Sequence, residues 1–558
     1  MRLCLLSLLA IAGCASEAAD GSYGYPSADA GASAGDAGFV GCLSSNECPA
    51  GYICNDFGRC VMQEPPGDGG MPPPPPETEI DYAPPISSQR YVYVAMTAED
   101  ELARIDGTTL SVRSTKVGHA PKVVGTIPGS DGAVVLDSTN GTATIVRPVG
   151  DTDTKRVLGT LTRLNRLDID PSGRFAVIWF DLAKAIAEGT SVNGGSFQDV
   201  TVLSLAQGNE RAVNLTVGFR PREVQFDAAG NHAYVITEDG VSVIDLAVAT
   251  MGAPTIVPPI PVASMLVPPA DIEVDIVATG EWAAVRQAGT STLRVVNVGS
   301  NPGQAYTVPL LSPATDIDLA PDGSRIYAVQ RDAKKLSVID VPGDAVNPAG
   351  VEVIDLTNAT LGSLVLSADG RRGLLFTNAT LDERITLIQL DQPGYPITTW
   401  PLKKAVRAVG ISPTGDTALL LDAKAAGDPA TATSFDDYID KSYGYTLLDL
   451  ATGFGKLQIT PVDPGPFNYS PDGTKVYVAL DGGDAATAVR ALQVVTTQTG
   501  VVISKQLGSA PSSVGILPGV GQAFVAQRHP LGRVSFVHLV SDNVRTVTGF
   551  DLNSNIVN

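Results

Sequence analysis

Histidine is scarce in this chain, with only 4 in 558 residues, and His119, His232, His529 and His538 are scattered through it. That is too few for a His-rich copper centre. No C-x-x-C-H haem attachment occurs, and no H-E-x-x-H or G-x-S-x-G element is placed to act. Each histidine reads as a loop or strand-edge residue, and the inventory leans away from catalysis. Basic charge is short as well: 38 Lys and Arg stand against 59 Asp and Glu, a net charge of -21. Such a surface repels nucleic acid and anionic headgroups, so polyanions are poor partners. No segment carries the period of a long amphipathic helix, and the apolar run Leu3 to Ala12 is short of the roughly 20 residues a membrane span needs.

What the chain has in abundance is a recurring unit of roughly 45 residues, the length of one four-stranded blade of a β-propeller. Asp316 to Val341, Val224 to Leu246 and Asn468 to Val495 share one order: apolar strand, Asp/Pro/Ala-Gly turn, Tyr- or Val-rich strand, polar turn, and a strand ending near Asp or Asn. The turn glycines Gly173, Gly230, Gly280, Gly323, Gly370, Gly415 and Gly473 recur at intervals of 43 to 58 residues. Apolar alternation, β-branched enrichment and Gly/Asp/Asn turns argue an all-β body. Weaker units lie at Pro121 to Pro148 and Pro511 to Leu539 and match one another as P-x-x-V-G-x-x-P-G. Counting these, the expectation is a single propeller of eight to ten blades over residues 89–558, closed by pairing its two ends.

Segments such as Gly323 to Asp340 and Tyr91 to Asp106 resemble the YVTN type of propeller repeat, a relative of WD-type and lactonase-like propellers. The resemblance spans about residues 89–558.

Ahead of the repeats, Arg2 and the apolar run Leu3 to Ala12 have the dimensions of a signal-peptide core. The run ends in Ile11-Ala12-Gly13-Cys14, which resembles a bacterial lipoprotein box. The resemblance implies cleavage before Cys14 and acylation of it, anchoring the chain in a membrane without a protein span. Ala15 in place of Asp fits outer-membrane retention in a Gram-negative cell envelope. The alternative is a plain secretory signal with an incidental cysteine. Cys42, Cys48, Cys54 and Cys60 follow with five residues between neighbours. In an exported chain they read as two disulfides, with three pairings open, or as a four-thiolate zinc site lacking the usual paired spacing. Residues 42–61 are similar to small extracellular modules of the Dickkopf N-terminal kind. The expected organisation is a signal at 1–13, a lipidated tether at 14–41, the cysteine module at 42–61, a Pro/Gly-rich linker at 62–88 including Pro72 to Pro76, and then the propeller.

Two groups of residues are candidates for function. Aligned on the turn glycine, the first strands carry Asp168, Glu223, Asp275, Asp316 and Asp318, and a propeller's first strand lies innermost. If alternation turned these side chains to the channel, they would form an acidic tunnel able to hold Ca²⁺ or Mg²⁺, as lactonase-like propellers hold a metal. The plainer reading is a polar channel lining, with Arg166 and Arg222 nearby to pair with the carboxylates. The second group lies in the long excursions Asp181 to Asp199, Ala247 to Ala270 and Asp422 to Tyr443, expected to crowd one face. The last holds Phe435, Asp436, Asp437, Tyr438, Asp440 and Tyr443, aromatics among carboxylates that suit a cationic or sugar-like partner. Two functions follow: a surface-anchored, non-catalytic scaffold for a protein, peptide or glycan of the envelope, needing no cofactor, or a lactonase-like metal-dependent hydrolase.

If Cys14 carries lipid, Cys14→Ser abolishes labelling by a fatty-acid analogue and releases the chain from the detergent-soluble membrane fraction. Unchanged labelling would contradict the anchor.

Overall fold

In the computed structural model, the described residues are 86–550 except 191, 193–196, 265–266 and 484–487, together with the strand backbones Tyr52–Cys54, Cys60–Met62 and Ser554–Val557. Cys14, Cys42 and Cys48, the signal segment and the tether lie outside them. Tyr52–Cys54 and Cys60–Met62 pair as a short antiparallel hairpin with Cys54 opposite Cys60.

From residue 91 onward the strands form ten sheets, nine of four strands and one of three. The chain is thus an all-β propeller of ten blades: 91–116, 123–159, 166–216, 221–245, 272–309, 316–355, 363–401, 406–460, 464–506 and 511–548. The count sits at the top of the range expected from the repeats. The final strand Ser554–Val557 pairs in parallel with Val112–Thr115 on the outside of blade 1, so the two ends of the repeat region do meet.

The second strand of a blade is apolar without alternation because both of its faces are covered. In Thr417–Asp422 every residue is buried. Ala418 and Leu420 pack toward blade 7. Leu419 and Leu421 pack toward blade 9. An apolar cluster of this kind fills each junction between successive blades. The tenth closes the ring, with Val92, Met96 and Ile105 of blade 1 against Leu517, Phe524 and Phe536 of blade 10. Burying such side chains contributes about 1.5–3 kcal/mol each relative to exposure, so a missing blade would expose two whole faces.

The polar punctuation of the repeat has local causes. Asn297 and Asp449, each at the end of a third strand, and Asp106, at the end of the second strand of blade 1, accept hydrogen bonds from backbone N–H groups two to four residues on and so turn the chain. The seven turn glycines all have φ between 65° and 76°. A strand tyrosine reaches the following blade at this turn: the hydroxyl of Tyr93, on the first strand of blade 1, donates to the Asp131 carbonyl, and that of Tyr234, on the second strand of blade 4, donates to the Gly280 carbonyl at 2.8 Å. A Cβ on Gly280 would lie 2.0 Å from the Tyr234 oxygen, so this position needs glycine for conformation and for space.

Side-chain bonds add a second stitch where one blade hands over to the next. Thr97 Oγ1 donates to the Pro121 carbonyl (2.9 Å), Arg286 to Ala314 (3.3 Å), Thr315 to Gly362 (2.7 Å) and Arg407 to Pro464 (2.8 Å). Each donor stands on one blade and each acceptor at the first strand of its successor.

Gly289 has φ 71° and no neighbour near its absent Cβ. Gly280→Ala therefore lowers stability well beyond Gly289→Ala, the latter paying only the conformational cost of about 1 kcal/mol. Equal losses in denaturant titration would show that the Tyr234 contact contributes nothing.

Candidate functional site

The acidic residues of the innermost strands do not converge. Propeller sheets stand radially, so side chains perpendicular to the sheet point at neighbouring blades; the alternation expected to turn them into the channel turns them sideways instead. Asp316 of blade 6 accepts from the Leu364 N–H of blade 7 at 2.8 Å. In blade 4, Gln225, with Glu223 accepting from its amide, bridges to Val274 O and Ile276 N of blade 5. Asp168 accepts from Trp179 Nε1 at 2.6 Å. Burial pushes the Asp168 carboxyl up to about 6, against that hydrogen bond and the Arg166 charge. Arg166 itself pairs with Asp181 at 2.8 Å. Arg222 donates to the carbonyl of Pro269. Asp275 and Asp318 lie opposite Ala284 and Tyr327 in blades 5 and 6. Among the described residues, no group of three or more His, Cys, Asp and Glu side chains is arranged to hold a metal ion.

The excursions do more to shape one face. In an antiparallel blade, the loops between second and third strands emerge on the face that also carries the connections between blades. The insertions of blades 3 and 8 are both of this kind, between Trp179 and Asp199 and between Asp422 and Tyr443. Each carries a short helix, Leu182–Ala187 and Phe435–Lys441. Five steps apart in a ring of ten, they share a face but stand across the channel from one another.

The third excursion departs from expectation. It starts after Asp245, the end of the third strand of blade 4, with the helix Leu246–Ala249 on the opposite face. It then climbs the outside of the ring, bridging Thr216 at Ile256 and Val241 at Ile260, before entering blade 5. Its course replaces a fourth strand rather than extending a connection on one face.

The blade 8 insertion is built to be ordered. A helix of seven residues is too short to persist by itself, so its ends decide its stability. The Ser434 hydroxyl caps the start by accepting from the Asp437 N–H at 3.0 Å, while the Asp437 carboxylate accepts from the Thr433 N–H at 2.7 Å. Asp437 also pairs with Lys441 one turn on, at 2.9 Å. These bonds, the Thr433 N–H first, hold the Asp437 carboxyl below the usual carboxylate range.

The other end rests on a residue that sequence reasoning missed. Lys404, 1 % exposed, lies between blades 7 and 8 and donates Nζ–H bonds to the carbonyls of Ile439 (2.6 Å) and Asp440 (3.0 Å). Ile439 O also accepts from the Ser442 N–H (3.1 Å) and Asp440 O from the Ala425 N–H (2.8 Å), so the ammonium is a second donor to each, and a cation at the last carbonyls of a helix complements its dipole. Below it the buried Asp422 accepts from Thr446 Oγ1 at 3.2 Å. Burial pushes the Asp422 carboxyl up to about 8, with the Lys404 charge working against it, and burial also pulls the Lys404 ammonium down. In the sequence Lys404 is one of two adjacent lysines before a strand, with no mark of burial.

On this base the helix presents Phe435 outward at 75 % exposure, with Tyr438 also exposed and Asp436 and Asp440 on the same short element. Tyr443 opens the next strand, its ring 5.1 Å from the Lys424 ammonium. A rigid aromatic edge among carboxylates can stack on an apolar or sugar surface while attracting a cation.

No protein-family model matches the chain, and no curated protein matches it. Among solved structures it is similar to the dihydro-heme d1 dehydrogenase NirN (13% identity over 75% of this chain and 72% of that one, TM-score 0.39). It is also similar to a eukaryotic initiation factor (11%, 73% and 96%, TM-score 0.46). A third is the hydrazine synthase of Kuenenia stuttgartiensis (14%, 59% and 95%, TM-score 0.32). At these identities the likeness concerns the fold alone.

Because the folded Asp422 carboxyl titrates near 8 and the unfolded one near the ordinary value of about 4, the native state holds a proton across that window that the unfolded chain releases. Its contribution to stability is full below pH 4 and is lost as pH rises through 8. Melting temperatures measured from pH 5 to 9 therefore fall more steeply for the native chain than for Asp422→Asn. Parallel curves would contradict the assignment. Lys404→Met in turn speeds hydrogen exchange across residues 425–441 by about tenfold or more while leaving blades 2 to 6 protected.

Proposed function

We propose that this chain is a binding scaffold of the cell envelope, held at the outer membrane by lipid on Cys14, with the propeller raised from it by the tether and linker. Its partner is a protein, peptide or glycan of the envelope. The face carrying the blade 3 and blade 8 insertions is the contact surface. The observation that carries this reading is the helix Phe435–Lys441: an exposed aromatic on an element pinned by a buried lysine. Pre-ordering matters because a surface already in its bound conformation loses less side-chain and loop entropy on association. An exposed Phe flanked by carboxylates, on a rigid support, has the composition of an interface anchor.

Replacing residues 423–442 with a short Gly-Ser turn leaves the blades folded and lowers capture of the partner from solubilised envelope. Phe435→Ala with Tyr438→Ala, both exposed on the short helix, lowers it by about tenfold or more. Undiminished capture by both variants would defeat the reading. Melting curves with and without Ca²⁺ or Mg²⁺ separate it from a metal-dependent hydrolase, because an ion bound only by the folded state raises the melting temperature.

A further inference from the structure

Blade 4 is the exception in the ring. Its sheet has three strands, Pro221–Phe226, His232–Thr237 and Gly240–Asp245, where the other nine have four. The chain that follows does not take the outer place: Ile256 bridges in parallel to Thr216 at the end of blade 3's outer strand, and Ile260 alone returns to Val241. Val241 exchanges hydrogen bonds with Ile260 in both directions, at 3.0 and 2.8 Å. Backbone groups alternate along a strand, so the same outward edge continues at Val243 and Asp245. Among the described residues no strand pairs with that stretch.

Three further observations bear on what suits this edge. On its blade 5 side lies a groove of about 690 Å³, whose lining includes Val243, Tyr234 and Val298. In the excursion that follows the strand, Val248, Met251 and Ile256 are exposed, with Ile256 on the blade 3 side against Thr216. The charge around the groove is mostly negative: Asp227, Glu281 and Asp322 line it, and Asp245 is exposed beside it, against His232, which is paired with Asp227 at 2.8 Å. Arg174 spends its guanidinium on the carbonyls of Ala229 and Gly230 and on Asn231 Oδ1.

We propose that the outer edge of blade 4 docks an extended segment of a partner polypeptide, which adds to Gly240–Asp245 as an antiparallel fourth strand and carries basic residues between apolar ones. Main-chain hydrogen bonds to Val243 and Asp245 supply the pairing, and alternate side chains divide between the groove and the blade 3 side, where Ile256 is exposed. The carboxylates select Lys or Arg over Asp or Glu by charge complementarity. The incoming strand runs toward Ile260, which already holds the next position of the same edge. This surface is on the rim of the ring, separate from the blade 8 insertion, and does not depend on it.

The probe is the synthetic peptide acetyl-Lys-Val-Lys-Val-Lys-Val-Lys-amide, used with the full chain. Calorimetry is to show binding, and hydrogen exchange is to show the Val243 amide fast in the free protein and about tenfold slower with peptide. The same peptide with alternate N-methylated residues, and its Glu-Val counterpart, bind about tenfold more weakly or not at all. Val243→Pro removes the outward donor and abolishes binding; because proline also disturbs the strand, the N-methylated peptide makes the same test on the unaltered protein. Lack of binding by the Lys-Val peptide, equal binding of its N-methylated form, or a slow Val243 amide in the free chain overturns the proposal.

Discussion

The ring depends on burying both faces of every blade against its neighbours. A sheet with two apolar faces cannot stand alone in water, and an open stack of such sheets leaves two faces exposed at its ends. Closure removes both, which is why Leu517, Phe524 and Phe536 of blade 10 form a buried apolar cluster with the residues of blade 1, as the internal junctions do. The strand register follows from this as well. A second strand such as Thr417–Asp422 can read as an unbroken apolar run because it meets blade 7 on one side and blade 9 on the other. The tyrosine and carbonyl stitches then hold successive blades at a fixed angle, so the ring is a rigid platform on which insertions can be carried at little cost to the core.

What was legible in the sequence was whatever is local and repeated. Gly230, Gly280 and Gly323 mark their turns because φ near 70° is costly for any other residue. The terminal Asp or Asn of the third strand is legible for a similar reason, since the side chain closes its own turn. The direction of a side chain relative to a distant blade is not local, and there the reading failed. Asp316 looks like a channel residue until the sheet is seen to stand radially, with its carboxylate on the Leu364 N–H of the next blade. The path of residues 247–270 is also non-local: the same polar and Pro-rich stretch suits a loop on one face or a climb along the rim. Only the bridges at Ile256 and Ile260 decide between them.

The candidate binding face shows the same division. The aromatic and acidic composition of residues 434–443 was plain in the sequence, whereas what makes it a usable surface was not. A seven-residue helix owes its order to Ser434 and Asp437 at one end, and to Lys404, about 35 residues earlier in the chain, at the other. Keeping a lysine buried beside Asp422 is expensive, and each of these groups is pushed toward its neutral form. That expense is spent on holding an exposed helix in one place, which a tolerated surface insertion would not require.

Blade 8 carries its own control for this account. Phe435 projects from the loop between the second and third strands at 75 % exposure, and Phe454 from the loop between the third and fourth, on the opposite face, at 70 %. The two are matched in chemistry and accessibility and differ in face. A photo-crosslinking amino acid placed at either position in cells that make the full chain reports which face meets the envelope partner. The account predicts a discrete adduct from position 435 and none from 454. Adducts of equal yield from both, or from 454 alone, would contradict it.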